Sequence, residues 1–551
     1  MVRSAGRSVR TVGRLIAEAL AAAGVRFAFT VPGESFLPVL EALPAVGIRV
    51  VATRHEGGAA FMAEAVGQLT GRPAAVLGTR SVGASNMAIG IHTARQNSTP
   101  LVALVGQVER AFRGREAFQE VEVADTIGGL AKWAAELSDP ASAGDVLGEG
   151  LRAMASGRPG PVLLALPEDV LDEPTTAAEV DWRPTQPAAA KPDAVRAALA
   201  LLVSAERPLI LAGGGVKRAR VGRLLVELAE RLAVPVRAAW RRPDVFPNDH
   251  PLYLGMTGYG APPTVRARLE SADALLVLGC RLSEVATFGY RVPAVTTRWA
   301  HVDLAPRVER AGLKRPDIAI PADAGDFLAR ALAEAGASPP PPRSADAVER
   351  AAYLAASTVD GGAWDGPGVH PGRVVATLQR VLPRDAVLTT DAGNFGLWPA
   401  RGYRFLAGGT FLGPTSGAMG YGLPAAIAAS LCLPGQTVVA LVGDGGFAMT
   451  MSELETAVRE GARPVTLVFD NRRYGTIAMH QRREGRAEVG VELGPIDFVA
   501  VAEACGALGL RVESDAQFEP ALRAALADSR PAVLHLRLDP RWVSPDQQPV
   551  S

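Results

Sequence analysis

Two polar residues that could share a metal ion follow neighbouring apolar runs in the last third of the chain. In VVALVGDGGFAMTMSELETAVREGARPVTLVFDNRRYG, Asp444 follows one run and Asn471 follows the next, 27 residues later. A strand–helix–strand crossover has about this length, and parallel strands end at the same edge of their sheet. Carboxylate, amide and main-chain oxygens suit Mg²⁺, which commonly bridges to substrate phosphates. The spacing therefore predicts a magnesium site that holds a diphosphate.

Glycines beside this aspartate could let the backbone approach the same diphosphate. Gly443, Gly445 and Gly446 stand where a predicted strand passes into a helix, and amides at a helix start face anions. A tight turn is the alternative interpretation of a lone GDG. The second polar residue, placed after its own strand, favours the metal–diphosphate interpretation.

The elements that would position these residues alternate short β-rich runs with helices, which is typical of parallel α/β domains. In the first third, the pattern predicts three strands, at Arg49–Thr53, Ala74–Gly78 and Leu101–Val105. A helix at Glu56–Leu69 joins the first two strands. A Gly/Ser loop and then a helix through Arg95 join the second strand to the third. In the last third, it predicts three strands and a helix, at Val387–Thr390, Thr437–Val442, Ser452–Glu460 (helix) and Val465–Phe469. The predicted fold class is α/β, with doubly wound parallel sheets.

Two proline-rich segments divide the 551 residues. Glu173–Asp193 and Ala337–Ser344 predict linkers, because proline removes hydrogen-bond donors and favours extended chain. We therefore predict three domains and two linkers, with the domains at 9–172, 194–335 and 365–540 and the linkers at 173–193 and 336–364.

The composition excludes several classes of function. The 57 Lys and Arg balance 57 Asp and Glu, so no basic field would recruit nucleic acid. The longest apolar stretch, Leu423–Leu433, is about half a bilayer span. Cys280, Cys432 and Cys505 form no CxxC pair, so neither a disulfide framework nor a thiolate zinc site is indicated. We expect a cytoplasmic protein with a small-molecule substrate and no nucleic-acid or membrane partner.

The segment from Asp444 to Asn471 resembles the GDG…N motif of thiamine-diphosphate (ThDP) enzymes, and residues 10–540 resemble acetolactate synthase (acetohydroxyacid synthase) large subunits. The resemblance implies pyrimidine-binding, middle and diphosphate-binding domains, in that order. It implies that Mg²⁺ is held by Asp444, the side chain of Asn471 and the main chain of Arg473. It further implies a set of cofactor-binding residues, namely Gly33, Gly393, Asn394, Gly417, Met419, Gly443, Gly445, Gly446, Asn471, Gly475 and Thr476.

The same resemblance implies the catalytic residues. ThDP forms a carbanion with its own aminopyrimidine, and the protein supplies a carboxylate that protonates the pyrimidine ring. Glu56 of RHEGGAAFMAEA matches that glutamate, although a solvated carboxylate in a first helical turn is the alternative. Met419 matches the apolar prop between the cofactor rings, and the AFQE motif places Phe118 and Gln119 beside the thiazolium. Without the resemblance, Met419 would be core packing and Gln119 a surface residue.

For several other residues, the sequence leaves more than one role open. His55 and His92 could donate protons, although a hydrogen-bonded structural histidine is commoner. The family's PGGA is Pro32-Gly33-Glu34-Ser35 here, and Glu34 could crowd the substrate, repel a 2-oxoacid anion or transfer a proton. There are three further departures from the family pattern. The SGPGATN loop is Ser81–Asn86 here, with a changed sequence. The arginine of the RFDDR motif, which grips the substrate in the family, is Val285, and the tryptophan that favours a larger acceptor is His480.

The middle third gives a weaker cofactor signal. LAGGGVKRAR lacks the final glycine of GxGxxG, so the dinucleotide fingerprint fails. Family members often hold FAD in this domain, and GMTGYG at Gly255–Gly260 resembles part of their flavin loop. A bound FAD, in a structural role, is left open.

The resemblance implies a ThDP- and Mg²⁺-dependent decarboxylating carboligase that acts on a 2-oxoacid such as pyruvate. The alternative is a ThDP-dependent decarboxylase or C–C lyase that acts on a different 2-oxoacid, a 2-hydroxy ketone or an acyl-CoA. A non-enzymatic cofactor-binding scaffold and a flavin or nicotinamide oxidoreductase are the other classes considered. In the resembling family, Glu56 of one subunit faces the diphosphate site of another, which implies a homodimer or homotetramer with active sites at the subunit interface.

Overall fold

The computed structural model describes residues 10–177, 180–306, 314–336, 344–362, 364 and 366–546. Within these residues, three six-stranded sheets form, and all their strands run parallel. Helices connect the strands, as the crossover between parallel strands requires. The predicted fold class, α/β with parallel sheets in three successive parts of the chain, is confirmed.

The first sheet has the strand order β2-β1-β3-β4-β6-β5. Its strands are β1 (Phe27–Thr30), β2 (Arg49–Ala52), β3 (Ala74–Thr79), β4 (Leu101–Gln107), β5 (Trp133–Glu136) and β6 (Pro161–Pro167). The accompanying helices are α1 (Val12–Ala22), α2 (Leu37–Ala45), α3 (Glu56–Thr70), α4 (Arg80–Asn97), α5 (Val123–Thr126) and α6 (Ala143–Ala155). The central strands β3, β4 and β6 are apolar along almost their whole length because helices cover both faces of the sheet.

The second sheet has the strand order β12-β11-β10-β7-β8-β9, so its strand order reverses between β10 and β7. Its strands are β7 (Pro208–Ala212), β8 (Val236–Ala238), β9 (Tyr253–Met256), β10 (Ala274–Leu278), β11 (Arg298–Asp303) and β12 (Ile318–Pro321). The helices are α7 (Pro192–Val203), α8 (Gly214–Ala219), α9 (Gly222–Leu232), α10 (Pro263–Glu270), α11 (Ala324–Glu334) and α12 (Ser344–Ala356).

The third sheet repeats the connectivity of the first, with the order β14-β13-β15-β16-β18-β17. Its strands are β13 (Val387–Thr390), β14 (Thr410–Leu412), β15 (Val438–Gly443), β16 (Val465–Asp470), β17 (Leu508–Val512) and β18 (Ala532–Arg537). The helices are α13 (Pro371–Val381), α14 (Leu397–Gly402), α15 (Gly422–Cys432), α16 (Asp444–Thr450), α17 (Glu453–Glu460), α18 (Gly475–Arg483), α19 (Phe498–Ala504) and α20 (Asp515–Ala527). Because β15 and β16 are adjacent, the residues that follow them lie at one edge of this sheet.

The chain divides into two compact units. One unit runs to Gln186 and includes the short segments Ile427–Cys432 and Glu455–Glu460, and the other contains the rest of the chain. The predicted boundaries of the three domains stay a prediction. Helix α12 lies within the second predicted linker, whose proline run is outside the described residues.

The predicted Gly/Ser loop after β3 is wrong, because helix α4 starts directly at Arg80. Serine, glycine and alanine made this stretch resemble a loop, but packing decides its conformation. A Cβ on Gly83 would lie 2.8 Å from the backbone of Gly78, and one on Gly90 would lie 2.3 Å from the Cβ of Ala60. Small residues therefore let α4 press against β3 and α3.

Where the structure describes the chain, it contains no helix that is both long and apolar enough to cross a membrane. The most apolar helix, α15, has 11 residues.

Candidate active site

The two predicted metal ligands lie in neighbouring loops at the carboxyl edge of the third sheet. Asp444 is the first residue of α16 after β15, and Asn471 directly follows β16. Strands β15 and β16 are paired up to Gly443 and Phe469, and the carboxyl group of Asp470 lies close enough to Asp444 to raise its pKa, so the two loops meet. The amide of Arg473 donates to Asn471 Oδ1 over 3.1 Å, which leaves that oxygen a second lone pair. Asp444 and Asn471 are thus neighbours at one sheet edge, and their predicted role as metal ligands stays a prediction.

A second carboxylate, Asp470, stands beside Asp444. Burial raises the pKa of Asp444 to about 7, and the negative charge of Asp470 adds to the rise. Burial would also raise the pKa of Asp470, but His535 and Arg537, each 2.8 Å away, lower it to about 2. A cation bound at this edge would favour the ionised form of Asp444.

The predicted diphosphate residue Asn394 follows β13 and is tied to the start of α18. Its Oδ1 accepts a hydrogen bond of 2.6 Å from Thr476 Oγ1, and a Cβ on Gly475 would lie 3.7 Å from its Nδ2. This Nδ2 is buried and has no hydrogen-bond partner within the described chain. An unpaired buried donor is costly unless a ligand satisfies it. Three predicted cofactor-binding residues thus surround one donor that is available to an anion.

Asp391 fixes the loop that carries the predicted prop, Met419. Its Oδ2 accepts a hydrogen bond of 3.0 Å from the amide of Gly420, and its Oδ1 accepts one from the amide of Gly422. Burial raises the pKa of Asp391 to about 6, although these two hydrogen bonds oppose the rise. A Cβ on Gly446 would lie 2.2 Å from Asp391 Oδ2, so glycine is required there by the close approach of this carboxylate.

The other predicted residues of this edge lie in the same loops. Met419 is half-buried and directly precedes the anchored amide of Gly420, and Tyr474 packs against the position of Gly445. The side chain of Arg473 pairs with Glu488 and Glu492 rather than with the metal site, which is consistent with a role for its main chain alone. The remaining glycines lie in turns or at strand ends, at Gly393, Gly417 and Gly443.

Glu56, the predicted proton donor, starts α3 in the first part of the chain. It is only 9% exposed, and Asn86 Nδ2 donates to its Oε2 over 2.8 Å. His55 caps the same helix, since its Nδ1 accepts from the amide of Gly57 over 3.0 Å. This cap is a structural role for His55. Burial and the Asn86 contact are at odds with the alternative of a solvated surface carboxylate at position 56.

Phe118 and Gln119 stand in a braced loop after β4. Glu120 accepts hydrogen bonds from the amides of Gly114 (2.7 Å) and Ala117 (3.0 Å), which holds the loop in place. Phe118 is 70% exposed, and Gln119 has a positive φ of 62° with a buried Oε1 that has no partner among described residues. Such strained backbone is typical of functional sites.

Gly33 and Glu34 follow β1 at the same edge of the first sheet. A Cβ on Gly33 would lie 2.1 Å from Thr79 Oγ1, so this glycine is required by packing onto the end of β3. Glu34 Oε1 is 3.4 Å from Arg80 Nη1, and Arg80 Nη2 donates to Glu168 Oε2 over 3.0 Å. Glu34 is therefore paired and does not present an isolated negative charge.

The glycine loop after β7 does not fit the diphosphate of a dinucleotide. It lies at the point where the order of the second sheet reverses. The amides of Gly213 and Gly215 donate to the carbonyls of Leu278 (2.9 Å) and Gly279 (2.8 Å), so they are not free to bind phosphate. A bound FAD, which the sequence leaves open, finds no diphosphate site in this loop.

The residues of the third sheet's edge do fit Mg²⁺ and a diphosphate. The carboxylate of Asp444 and the amide oxygen of Asn471 are hard oxygen donors, and Asn394 Nδ2 is an unpaired donor for a phosphate oxygen. Among described residues, no group of three or more His, Cys, Asp or Glu could hold a metal. The predicted magnesium site has one carboxylate, one amide oxygen and one main-chain oxygen, so it does not require such a group of three.

Several residues of these edges were missed by the sequence reasoning. Asp391 and Asp470 stand in the sequence segments DAGNFG and FDN, but nothing local distinguishes them from turn residues. Arg80, Asn86 and Glu168 matter through contacts with residues 30 to 88 positions away. His92 is half-buried on α4, His480 is exposed on α18, and Val285 lies in the loop after β10.

Comparison with known proteins supports the predicted cofactor. Three family models match: the N-terminal TPP binding domain of thiamine pyrophosphate enzymes over residues 10–127, their central domain over 195–331, and their C-terminal TPP binding domain over 391–536. Thiamine pyrophosphate is ThDP.

Full-length relatives give the same result. The chain is 32% identical to a probable acetolactate synthase large subunit of Methanocaldococcus jannaschii, over 96% of this chain and 92% of that protein. It is 31% identical to a catabolic acetolactate synthase of Raoultella terrigena (96% and 95%) and 32% identical to a sulfoacetaldehyde acetyltransferase of Rhodobacter capsulatus (92% and 90%). With these matches and an edge that fits Mg²⁺ and a diphosphate, the chain belongs to the thiamine pyrophosphate enzymes, in their acetolactate synthase-like branch.

Proposed function

We propose that the protein is a ThDP- and Mg²⁺-dependent decarboxylating carboligase that acts on a 2-oxoacid such as pyruvate. The observation that carries this proposal is the edge of the third sheet, where the loops of Asp444, Asn471 and Asn394 meet around oxygen ligands and an unpaired donor. The names of two relatives, both acetolactate synthases, support the choice of a 2-oxoacid.

Each residue has a defined task in this reaction. When bound, ThDP supplies the carbon nucleophile and accepts the electrons that decarboxylation releases. Asp444 and Asn471 hold Mg²⁺, and Asn394 with Thr476 binds the diphosphate. Glu56, oriented by Asn86, holds a proton at the pyrimidine nitrogen.

Other residues shape the site around the cofactor. Met419 supports the cofactor rings from a loop that Asp391 fixes. Phe118 and Gln119 present an apolar ring and an amide to the substrate side. We further propose that the active protein is a cytoplasmic homodimer or homotetramer with active sites between subunits. This assembly follows from the family resemblance.

A second candidate function is a ThDP-dependent decarboxylase or C–C lyase acting on a different 2-oxoacid, a 2-hydroxy ketone or an acyl-CoA. The observation that favours it is Glu34, which places a carboxylate where the PGGA motif of the resembling family has glycine. A relative that is named for a substrate other than a 2-oxoacid, sulfoacetaldehyde, makes a changed substrate plausible in this branch.

Product analysis tests the proposal. The purified full chain, with ThDP and Mg²⁺, is supplied with pyruvate, CO₂ release is measured, and acetolactate or acetoin is separated from acetaldehyde. A carboligase yields the joined products, and a simple decarboxylase yields acetaldehyde. Glu56→Gln should abolish CO₂ release, whereas Glu41→Gln, on an exposed position of α2, should not change it. Absence of CO₂ release from pyruvate and from a panel of longer 2-oxoacids would exclude the proposed reaction.

A further inference from the structure

An arginine and two carboxylates meet at the carboxyl edge of the first sheet, outside the residues assigned to the cofactor. Glu34 follows β1, Arg80 follows β3 and Glu168 follows β6. Strands β1, β3, β4 and β6 are consecutive in this sheet, so four neighbouring loops border the guanidinium. Open parallel sheets bind their ligands at this edge. The position of Arg80 is therefore one that a ligand can reach.

The two carboxylates hold Arg80 unequally. Glu168 makes the shorter contact, 3.0 Å to Nη2, and its own side chain is 32% exposed. Glu34 stands 3.4 Å from Nη1 and is 57% exposed. An exposed ion pair with a long contact contributes little free energy and exchanges readily with other anions. We therefore regard Glu168 as the anchor of Arg80 and Glu34 as a replaceable partner.

The guanidinium also keeps unused hydrogen-bonding capacity. Arg80 Nε is buried and finds no acceptor among the residues described, although the side chain as a whole is 12% exposed. A buried donor without a partner costs free energy, and a ligand oxygen would recover it. Arginine is suited to this task because its planar fork can bind carboxylate and similar oxyanions through two parallel hydrogen bonds.

The surroundings of Arg80 connect it to the predicted substrate side of the site. Its guanidinium lies over the ring of Phe118, 5.8 Å from the centroid, and the amide of Ser81 donates to the carbonyl of Gln119 over 3.3 Å. Arg80 and Gln119 both have positive φ, 42° and 62°. Strain of this kind persists where the surroundings enforce it, and it clusters at ligand sites. An anion on Arg80 would thus lie beside Phe118 and Gln119.

We propose that Arg80 binds the anionic group of the substrate, a carboxylate or a sulfonate, and that Glu34 is the internal competitor which this group displaces. The inference rests on the proposed function, since it names the substrate class of the same site. Arg80 selects for substrates with an oxyanion, and Glu34 lowers the affinity for all of them by occupying Nη1. Glu34 therefore acts through Arg80 and is a specificity-determining residue, with no role in proton transfer.

Binding of unreactive anions tests this proposal apart from catalysis. Oxamate, which carries a carboxylate, and 2-hydroxyethanesulfonate, which carries a sulfonate, are titrated calorimetrically into the full chain with ThDP and Mg²⁺. Arg80→Gln should weaken binding of the preferred anion about tenfold or more, because a charged donor is lost. Arg80→Lys should cause a smaller loss, because it keeps the charge and loses the fork. The two probes show which oxyanion is preferred.

Glu34 supplies the decisive part of the test. Glu34→Gln should tighten anion binding about threefold or more, and this gain should vanish in the double variant Glu34→Gln/Arg80→Gln, since the two residues act through one contact. If Glu34 only repelled the anion, the gain in affinity would remain in the double variant. This result would overturn the proposal that the anion displaces Glu34 from Arg80. Arg110→Gln is the matched control, because Arg110 lies at the same sheet edge and is also held by two carboxylates, Asp169 and Glu173.

The proposed function and this inference can fail separately. Arg80-dependent binding of either probe in a protein that releases no CO₂ from 2-oxoacids would retain the anion site and exclude the proposed reaction. Equal affinity in wild type, Arg80→Gln and Arg110→Gln, with melting curves that show all three folded, would overturn the inference whatever the activity. In that case Arg80, Glu34 and Glu168 would be a structural ion-pair network.

Discussion

A methyl group added at Gly446 tests whether the buried carboxylate of Asp391 organises the diphosphate site. The Cβ of Gly446→Ala would lie 2.2 Å from Asp391 Oδ2 and 3.3 Å from its Cγ. A Cβ atom essentially never lies within 3.0 Å of another heavy atom, so the carboxylate or α16 must shift by about 1 Å. Asp391 cannot yield easily, because its oxygens are bound by the amides of Gly420 and Gly422.

The expected magnitude follows from these contacts. Overpacking a buried position costs about 1–3 kcal/mol, and each hydrogen bond lost from a charged group costs about 1.5–3 kcal/mol. Alanine is favoured over glycine within a helix by about 1 kcal/mol, which offsets part of the cost. We expect the free energy of unfolding to fall by about 2–3 kcal/mol. Because α16 begins at Asp444, we also expect the affinity for ThDP with Mg²⁺ to fall at least about tenfold.

Urea unfolding measures the first quantity, and calorimetric titration of ThDP in the presence of Mg²⁺ measures the second. Gly494→Ala is the matched control, because a Cβ there meets no atom within 4 Å and the position is exposed. The control should stay within about 0.5 kcal/mol of wild type. Equal stability and equal ThDP affinity in Gly446→Ala and Gly494→Ala would refute the view that Asp391 requires glycine at position 446.

Three further predictions concern single side chains. Asn86→Ala should lower kcat at least about tenfold and leave ThDP affinity within about twofold, because Asn86 orients Glu56 and does not hold the diphosphate; steady-state kinetics with calorimetry checks this. Asn394→Asp should weaken ThDP binding more than Asn394→Ala, because it replaces a donor by a negative charge; the order of the two dissociation constants decides. Burial lowers the pKa of His370 from 6.5 to about 4, so the unfolded chain takes up a proton at a higher pH than the folded chain. The free energy of unfolding should therefore fall as the pH drops from about 6.5 to 4, by at most about 3 kcal/mol. Urea unfolding at pH 7.5 and pH 5 should show a smaller drop in His370→Asn, in which asparagine can still cap α13.

The fold was largely predictable because its main signal is periodic and local. Apolar runs and helical spacing predicted the strand Val387–Thr390 with its observed bounds, and Glu56–Leu69 with an error of one residue. The loop predicted at the start of α4 was wrong because its low helix propensity is overridden by contacts of Gly83 and Gly90 with distant residues. Sequence periodicity contains no information about such contacts.

The site was predictable to the extent that motif residues follow strands directly. Asp444 and Asn471 needed only the adjacency of two parallel strands to meet. Asp391 could not be predicted in the same way, because its role depends on three glycines, Gly420, Gly422 and Gly446, that approach one carboxylate. Likewise the pairing of Glu34 with Arg80 joins residues 46 positions apart through side chains alone. The predicted roles of these residues toward the cofactor stay predictions.

The two sheet edges differ in how firmly they are built, and this difference has a consequence for how substrates can change. At the third sheet, the amides of Gly420 and Gly422 hold Asp391, the Thr476 hydroxyl holds Asn394, and the approach of Asp391 leaves no room for a Cβ at position 446. At the first sheet, Glu34 is held by one long side-chain contact and is mostly exposed. A substitution of Glu34 therefore costs little folding free energy yet alters the charge next to Arg80. Selection for a new substrate can act on this position while cofactor binding stays intact, which accounts for a departure from the PGGA motif beside an unchanged GDG…N motif.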